Sequence, residues 1–158
     1  MGLAALLLAA GRSTRMRGGD KLLEPVSGKP VLRLMAERLQ SLGVDVYVAV
    51  SPDFPARIRV LSGLAAKLLP CGTSNEGLSG TLRSAIARLE DRDGVLVTPA
   101  DMPEILTDDF RKVIVASELN SSSLIWQAET VDGEPGHPIL FARAVLPEFR
   151  KLTGDLGG

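Results

Sequence analysis

A chain of 158 residues with 18 Lys+Arg against 19 Asp+Glu carries a formal net charge of −1. That near balance excludes the broad electropositive face by which a protein grips nucleic acid or an anionic membrane, so any anion binding must be local. Apolar residues make up 45% and charged residues 23%, an ordinary globular composition at a length suited to one domain, and the single cysteine, Cys71, rules out a disulfide framework or a cysteine-rich metal site.

From Leu3 to Ala10 the chain is apolar without a break, long enough for a strand buried on both faces, and the run stops at Gly11. No basic residue precedes it and a cationic stretch follows directly, so it reads as a strand and not as the core of a secretory signal. No window approaches the length needed to cross a bilayer, which points to the cytoplasm. Between Gly11 and Lys21 lie three arginines, a lysine, three glycines and two hydroxyl residues. Permissive backbone that offers its N–H groups, mixed with fixed cations, suits a polyphosphate. A buried first strand delivers that stretch where open α/β sheets bind ligands. It is neither a Walker A loop nor a dinucleotide fingerprint, since neither Gly-Lys-Ser/Thr nor Gly-x-Gly-x-x-Gly occurs.

Ser27-Gly28-Lys29-Pro30 reads as a turn, and Pro30 opens an amphipathic helix from Val31 to Leu42, closed by Gly43. Val44 to Val50 is a second strand; Pro52 and Pro55 end it and open a short helix from Ala56 to Leu61. Ala65 to Pro70 is a third strand, followed by a polar loop from Cys71 to Gly77 and a helix from Leu78 to Leu89 with Ser79 as its amino cap. Gly94 to Thr98 is a fourth strand, ending in Pro99-Ala100-Asp101-Met102-Pro103, and Thr107-Asp108-Asp109 starts a helix that runs to Leu119. Ser123 to Ala128 and Ile139 to Ala142 read as strands around the turn-rich stretch from Asp132 to Pro138, and a last helix spans Ala144 to Leu152. The alternation predicts a single Rossmann-like α/β/α domain over residues 1–158, three-layered, with a mostly parallel sheet and right-handed crossovers.

Arg15 can grip phosphate oxygens with a planar fork, and Lys21 is a compact charge able to follow a transferring group. In an arbitrary loop these would be solvated cations; Gly11, Gly18, Gly19 and the strand before them favour the phosphate role. Asp101, at the carboxyl end of a strand, is either a carboxylate for a hard Mg²⁺ ion or a turn cap. Gly77, Ser79 and the amides beside them can bond a base or ribose, or simply cap a helix. His137 is the only histidine, and a lone histidine is more often structural than catalytic.

The run Leu8-Ala9-Ala10-Gly11-Arg12-Ser13-Thr14-Arg15-Met16, continued by Lys21-Leu22-Leu23, resembles the signature of nucleotidyltransferases that activate small molecules with a nucleoside triphosphate. It is most similar to the molybdenum cofactor cytidylyltransferase and guanylyltransferase family, with one more residue than usual between Met16 and Lys21. Gly77-Leu78-Ser79-Gly80-Thr81-Leu82 resembles the family's Gly-Leu-Ser-x-Ser-Leu element, with Thr81 where serine is common. Asp101-Met102-Pro103, Gly136-His137-Pro138-Ile139-Leu140-Phe141 and Gly154-Asp155-Leu156-Gly157 match three further elements in order.

The resemblance implies a fold of the nucleotide-diphospho-sugar transferase type. It implies that Leu8, Ala9, Ala10, Gly11, Arg12, Ser13, Arg15, Lys21, Gly77, Ser79 and Asp101 bind the nucleotide, with Arg15 and Lys21 catalytic. Asp101 and Asp155 would hold Mg²⁺, while His137 and Asp155 would meet the acceptor. The implied reaction is Mg²⁺-dependent transfer of CMP, or GMP, from CTP or GTP to the phosphate of molybdopterin with release of pyrophosphate. A molybdoenzyme or its chaperone is the implied partner, with no nucleic acid and no membrane. Ala-Ala-Gly in the first motif leans towards the cytidine-using branch. The family's last helix and strand have no counterpart before Gly158, which puts the role of Asp155 in question. Three rivals remain: cytidylyl transfer to methylerythritol phosphate, a sugar-phosphate nucleotidyltransferase, and a nucleotide- or cofactor-binding module without turnover.

Overall fold

The computed structural model describes residues 2–12, 19–72 and 77–153. In chain order its elements are β1 (Leu3–Ala9), a 3-10 turn (Lys21–Leu23), β2 (Pro25–Val26), β3 (Lys29–Pro30), α1 (Val31–Gln40), β4 (Asp45–Val50), α2 (Pro55–Arg59) and β5 (Lys67–Pro70). There follow α3 (Gly77–Ile86), β6 (Gly94–Pro99), α4 (Thr107–Leu119), β7 (Ile125–Glu129), β8 (Pro135–Ala142) and a 3-10 segment (Arg143–Lys151).

Side chains of a strand alternate between faces, and β1 uses both. Ala5, Leu7 and Ala9 join one buried cluster, whereas Ala4 and Leu6 join the other. The first cluster is completed by Leu32, Met35 and Leu39 of α1 and by Phe110 and Val113 of α4. The second takes Leu82 and Ile86 of α3 with Leu146 and Phe149 of the last 3-10 segment, and Phe149 meets Phe141 edge-on at 4.9 Å between ring centroids. The result is the three-layer α/β/α arrangement that the continuous apolar run of β1 demands.

The six-stranded sheet has the order β5-β4-β1-β6-β8-β7. β1 pairs in parallel with β4 and β6, and β4 with β5, while β8 runs antiparallel to both β6 and β7. β2 and β3 form a separate two-stranded ribbon that sequence patterning did not anticipate. No helix among the described residues is long and apolar enough to cross a membrane.

Three expectations are corrected. β8 begins at Pro135 and not at Ile139, so His137 sits on a strand. Pairing with β6 starts only at Ile139; before it, Pro135 pairs with Glu129 of β7 and the register is irregular between Gln127 and Glu129, a place in a sheet where prolines are tolerated. The last helix is 3-10 in character with Pro147 inside it, as expected of a residue that cannot donate within an α-helix. α3 starts at Gly77, so Ser79 lies inside the helix and is not its amino cap.

Candidate active site

β1 and β6 end side by side: Leu8 pairs with Pro99, and the Ala100 amide donates to the Leu8 carbonyl at 3.1 Å. Gly11 and Asp101 therefore leave the sheet at the same edge. Both line one cleft of about 400 Å³, with Arg12, Leu8, Ala9, Leu22 and Pro99. Gly77, Leu78 and Thr81, from the first turns of α3, form the facing wall. A Cβ built on Gly11 would meet nothing within 4 Å, so packing does not demand glycine there; its absent side chain leaves room beside the backbone for a ligand. The first-turn amides of α3 lie in the cleft wall, where a helix terminus favours anionic or hydrogen-bond-accepting groups.

Lys21 is exposed and begins the 3-10 turn whose next residue, Leu22, is buried and forms part of the cleft. Asp101 is exposed and lines the same cleft. The turn after Asp101 is held by α1: Nη1 of Arg38 donates to the carbonyls of Pro103 at 2.6 Å and Ile105 at 2.8 Å. Thr81 lines the cleft and donates to the Gly77 carbonyl at 3.3 Å. Ser79 is fully buried, and its hydroxyl donates to the Thr153 carbonyl at 3.2 Å, away from the cleft. Ala10 is packed in the core beneath α3. Ser13, Arg15 and Asp155 lie outside the described residues.

His137 lines two spaces. It lines a groove of about 560 Å³ that contains Met102, Trp126, Glu104, Asp109 and Lys112. It also borders a small apolar cavity of about 170 Å³ that shares Leu8 and Leu78 with the cleft. Burial pushes the imidazole below its ordinary pKa of 6.5, and the Asp101 carboxylate opposes that shift, so the two side chains sense each other electrostatically. The folded protein thus holds His137 neutral at pH 7. Because the unfolded chain binds this proton more readily, stability should fall as the pH drops below about 6.5 and be level above it. As the only histidine, it gives one imidazole signal by NMR. Its titration should lie below 6.5, and Asp101→Asn should move it lower still; a midpoint that does not respond to Asp101→Asn would place the two groups apart.

Sequence reasoning did not single out Arg38, Arg57 or Asp20, which hold the two loops of the cleft by hydrogen bonds. Asp20 alone left a trace in the sequence, as a residue of cap type immediately before Lys21.

Residues 5–158 match a family model described as MobA-like NTP transferase domain. A molybdenum cofactor guanylyltransferase of Burkholderia vietnamiensis is 27% identical over 159 residues, covering 98% of this chain and 72% of that protein. A 2-C-methyl-D-erythritol 4-phosphate cytidylyltransferase of Cereibacter sphaeroides is 29% identical over 143 residues, covering 88% of this chain and 60% of that protein. Among solved structures, Rv0371c of Mycobacterium tuberculosis superposes with a TM-score of 0.83 at 25% identity, over 97% of this chain and 77% of that one. A manganese complex of the same protein superposes with a TM-score of 0.79 at 24% identity, with the same coverage.

Proposed function

The chain belongs to the MobA-like NTP transferase family, and from that premise we propose that it transfers a nucleotidyl group from CTP or GTP to the terminal phosphate of molybdopterin, releasing pyrophosphate. It is a nucleotidyltransferase; the nucleotide, the acceptor and the metal are the reading advanced here. The observation that carries it is that Gly11, Arg12 and Asp101 line one cleft with the first turn of α3, and that His137 lines a separate groove with Met102.

The acceptor's phosphate oxygen forms a bond to the α-phosphorus as the bond to the β-phosphate oxygen breaks. Every participant is anionic, so preplaced positive charge is what the site must provide. Arg12 and Lys21, with Arg15 from the preceding segment, supply it around the β- and γ-phosphates. The backbone beside Gly11 admits the phosphates closely. The first turn of α3, Gly77 and Leu78, borders base and ribose. His137 and the groove beyond it receive the acceptor, with His137 as a neutral contact; an already ionised phosphate needs no general base.

The donors suit a divalent cation that arrives with the triphosphate and does not require a preformed cage. Asp101 is exposed and lines the cleft. One carboxylate completed by phosphate oxygens is a normal Mg²⁺ environment. When bound, the ion would neutralise charge on the α-phosphate and the leaving pyrophosphate. Asp101 would hold it, and the Rv0371c manganese complex supports a divalent metal in a protein of this fold.

The two nucleotides are favoured by different observations: Ala9-Ala10-Gly11 leans to CTP, and the Burkholderia relative is named a guanylyltransferase. Pyrophosphate release measured with each nucleotide, and with molybdopterin or methylerythritol phosphate as acceptor, tests the whole reading. Turnover that requires molybdopterin is expected. Turnover with methylerythritol phosphate alone would transfer the chain to the activity named for the Cereibacter relative, and nucleotide binding without turnover on any acceptor would make it a binding module.

A further inference from the structure

Arg57, on α2, is 1% exposed and gives its guanidinium to the two ends of the cationic segment. Nη1 donates to the carbonyls of Ala9 at 2.9 Å and Gly11 at 2.6 Å. Nε and Nη2 donate to the two carboxylate oxygens of Asp20, at 2.7 and 3.1 Å. Phe54 closes the flat side of the guanidinium, 3.9 Å from ring centroid to carbon. The Asp20 carboxylate also accepts from the Leu22 amide at 3.0 Å, which caps the turn that begins with Lys21.

We propose that Arg57 and Asp20 form a latch that closes the neck of the segment between β1 and Lys21, and so positions Lys21 against Gly11 for the triphosphate. The inference rests on the reading that this cleft takes a nucleoside triphosphate. Arg57 is a positioning residue: its charge is buried and its N–H groups are aimed at protein atoms, so it acts on a ligand only through the segment it ties. A buried ion pair is a poor means of adding stability, because desolvation offsets the attraction. What the planar fork does well is fix relative position, reading two carbonyls at one end and a carboxylate at the other. The need for it is electrostatic. The two ends it ties carry like charge, Arg12 next to Gly11 and Lys21 next to Asp20, and like charges work to spread them. Asp20 opposes that repulsion next to Lys21, and Arg57 holds Asp20 in place.

The test combines calorimetric titration of CTP and GTP, each with Mg²⁺, with steady-state pyrophosphate release on the full chain. It compares the wild type, Arg57→Lys, Asp20→Asn and the double variant. Each single change is expected to raise the nucleotide Kd about tenfold and to lower kcat/KM for the nucleotide about a hundredfold, with the KM for the acceptor unchanged. The double variant should lose no more than the worse single variant, because the two groups act as a unit. A pair with a merely structural role would lower Tm while leaving the nucleotide Kd at its wild-type value, and that result overturns the latch, as do losses that add. Asp20→Asn preserves the shape of the side chain and serves if Arg57→Lys does not fold. Wild-type protein that binds neither nucleotide would overturn the functional reading and the latch with it; wild-type binding that is unchanged in Asp20→Asn would overturn the latch alone.

Discussion

Lys21→Ala is expected to lower kcat for pyrophosphate release by about 10²–10³-fold, the scale seen when one preplaced positive group or donor is removed from a developing anion. The side chain is exposed, at the start of a three-residue turn whose fixed points are the Asp20 cap and the buried Leu22. Neither depends on the Lys21 ammonium, so stability should change by no more than about 0.5 kcal/mol. Lys21→Arg should recover only part of the rate, since a planar fork does not replace a compact charge that follows the phosphorus. Thermal melting together with single-turnover kinetics separates these effects: a folded Lys21→Ala protein that turns over at the wild-type rate would remove Lys21 from the reaction.

Asp101→Asn is expected to have the larger effect, about 10³-fold or more, because it disables the carboxylate that would anchor the divalent ion, and such an ion is worth several kcal/mol in phosphoryl chemistry. The substitution is isosteric at an exposed position, and the neighbouring turn remains tied by Arg38 to the carbonyls of Pro103 and Ile105. The loss should therefore appear in metal dependence: the concentration of Mg²⁺ needed for half-maximal rate rises steeply while Tm stays put. An unchanged metal requirement with full activity would show that Asp101 does not carry the ion.

Much of this was legible in the amino-acid pattern, and the reasons differ by element. β1 announces itself because a strand buried on both faces needs apolar residues at every position, and Leu3 to Ala9 has them. The shared edge of Gly11 and Asp101 follows once two parallel strands end together, which sequence suggests through the turn residues that stop each run. β8 was hidden because Pro135, Gly136 and Pro138 carry a turn's composition, and the strand runs through them only across an irregularity in its pairing with β7. Ser79 misled for a related reason: a serine near a helix start resembles a cap, but Gly77 begins α3 and turns Ser79 into the fold.

Arg57 could not have been found from spacing. It sits in the last turn of the short helix α2, where a surface arginine is ordinary, and its partners at Ala9, Gly11 and Asp20 lie far back in the chain. Arg38 is hidden in the same way, since its role is defined by carbonyls that meet it only after α1 and the turn beyond β6 are packed. Local pattern reports the elements and the ligand-facing motifs, whereas the side chains that hold those motifs in place are set by tertiary contact.

The central claim is that the divalent ion, the triphosphate and the acceptor side of the site meet between Asp101 and His137. Paramagnetic Mn²⁺ added with CTP or GTP, observed through the single imidazole of His137, tests it most directly. Broadening of the His137 signal that requires both metal and nucleotide, and that disappears in Asp101→Asn, is the predicted result. Nucleotide that binds with its metal while leaving the His137 signal sharp would contradict it.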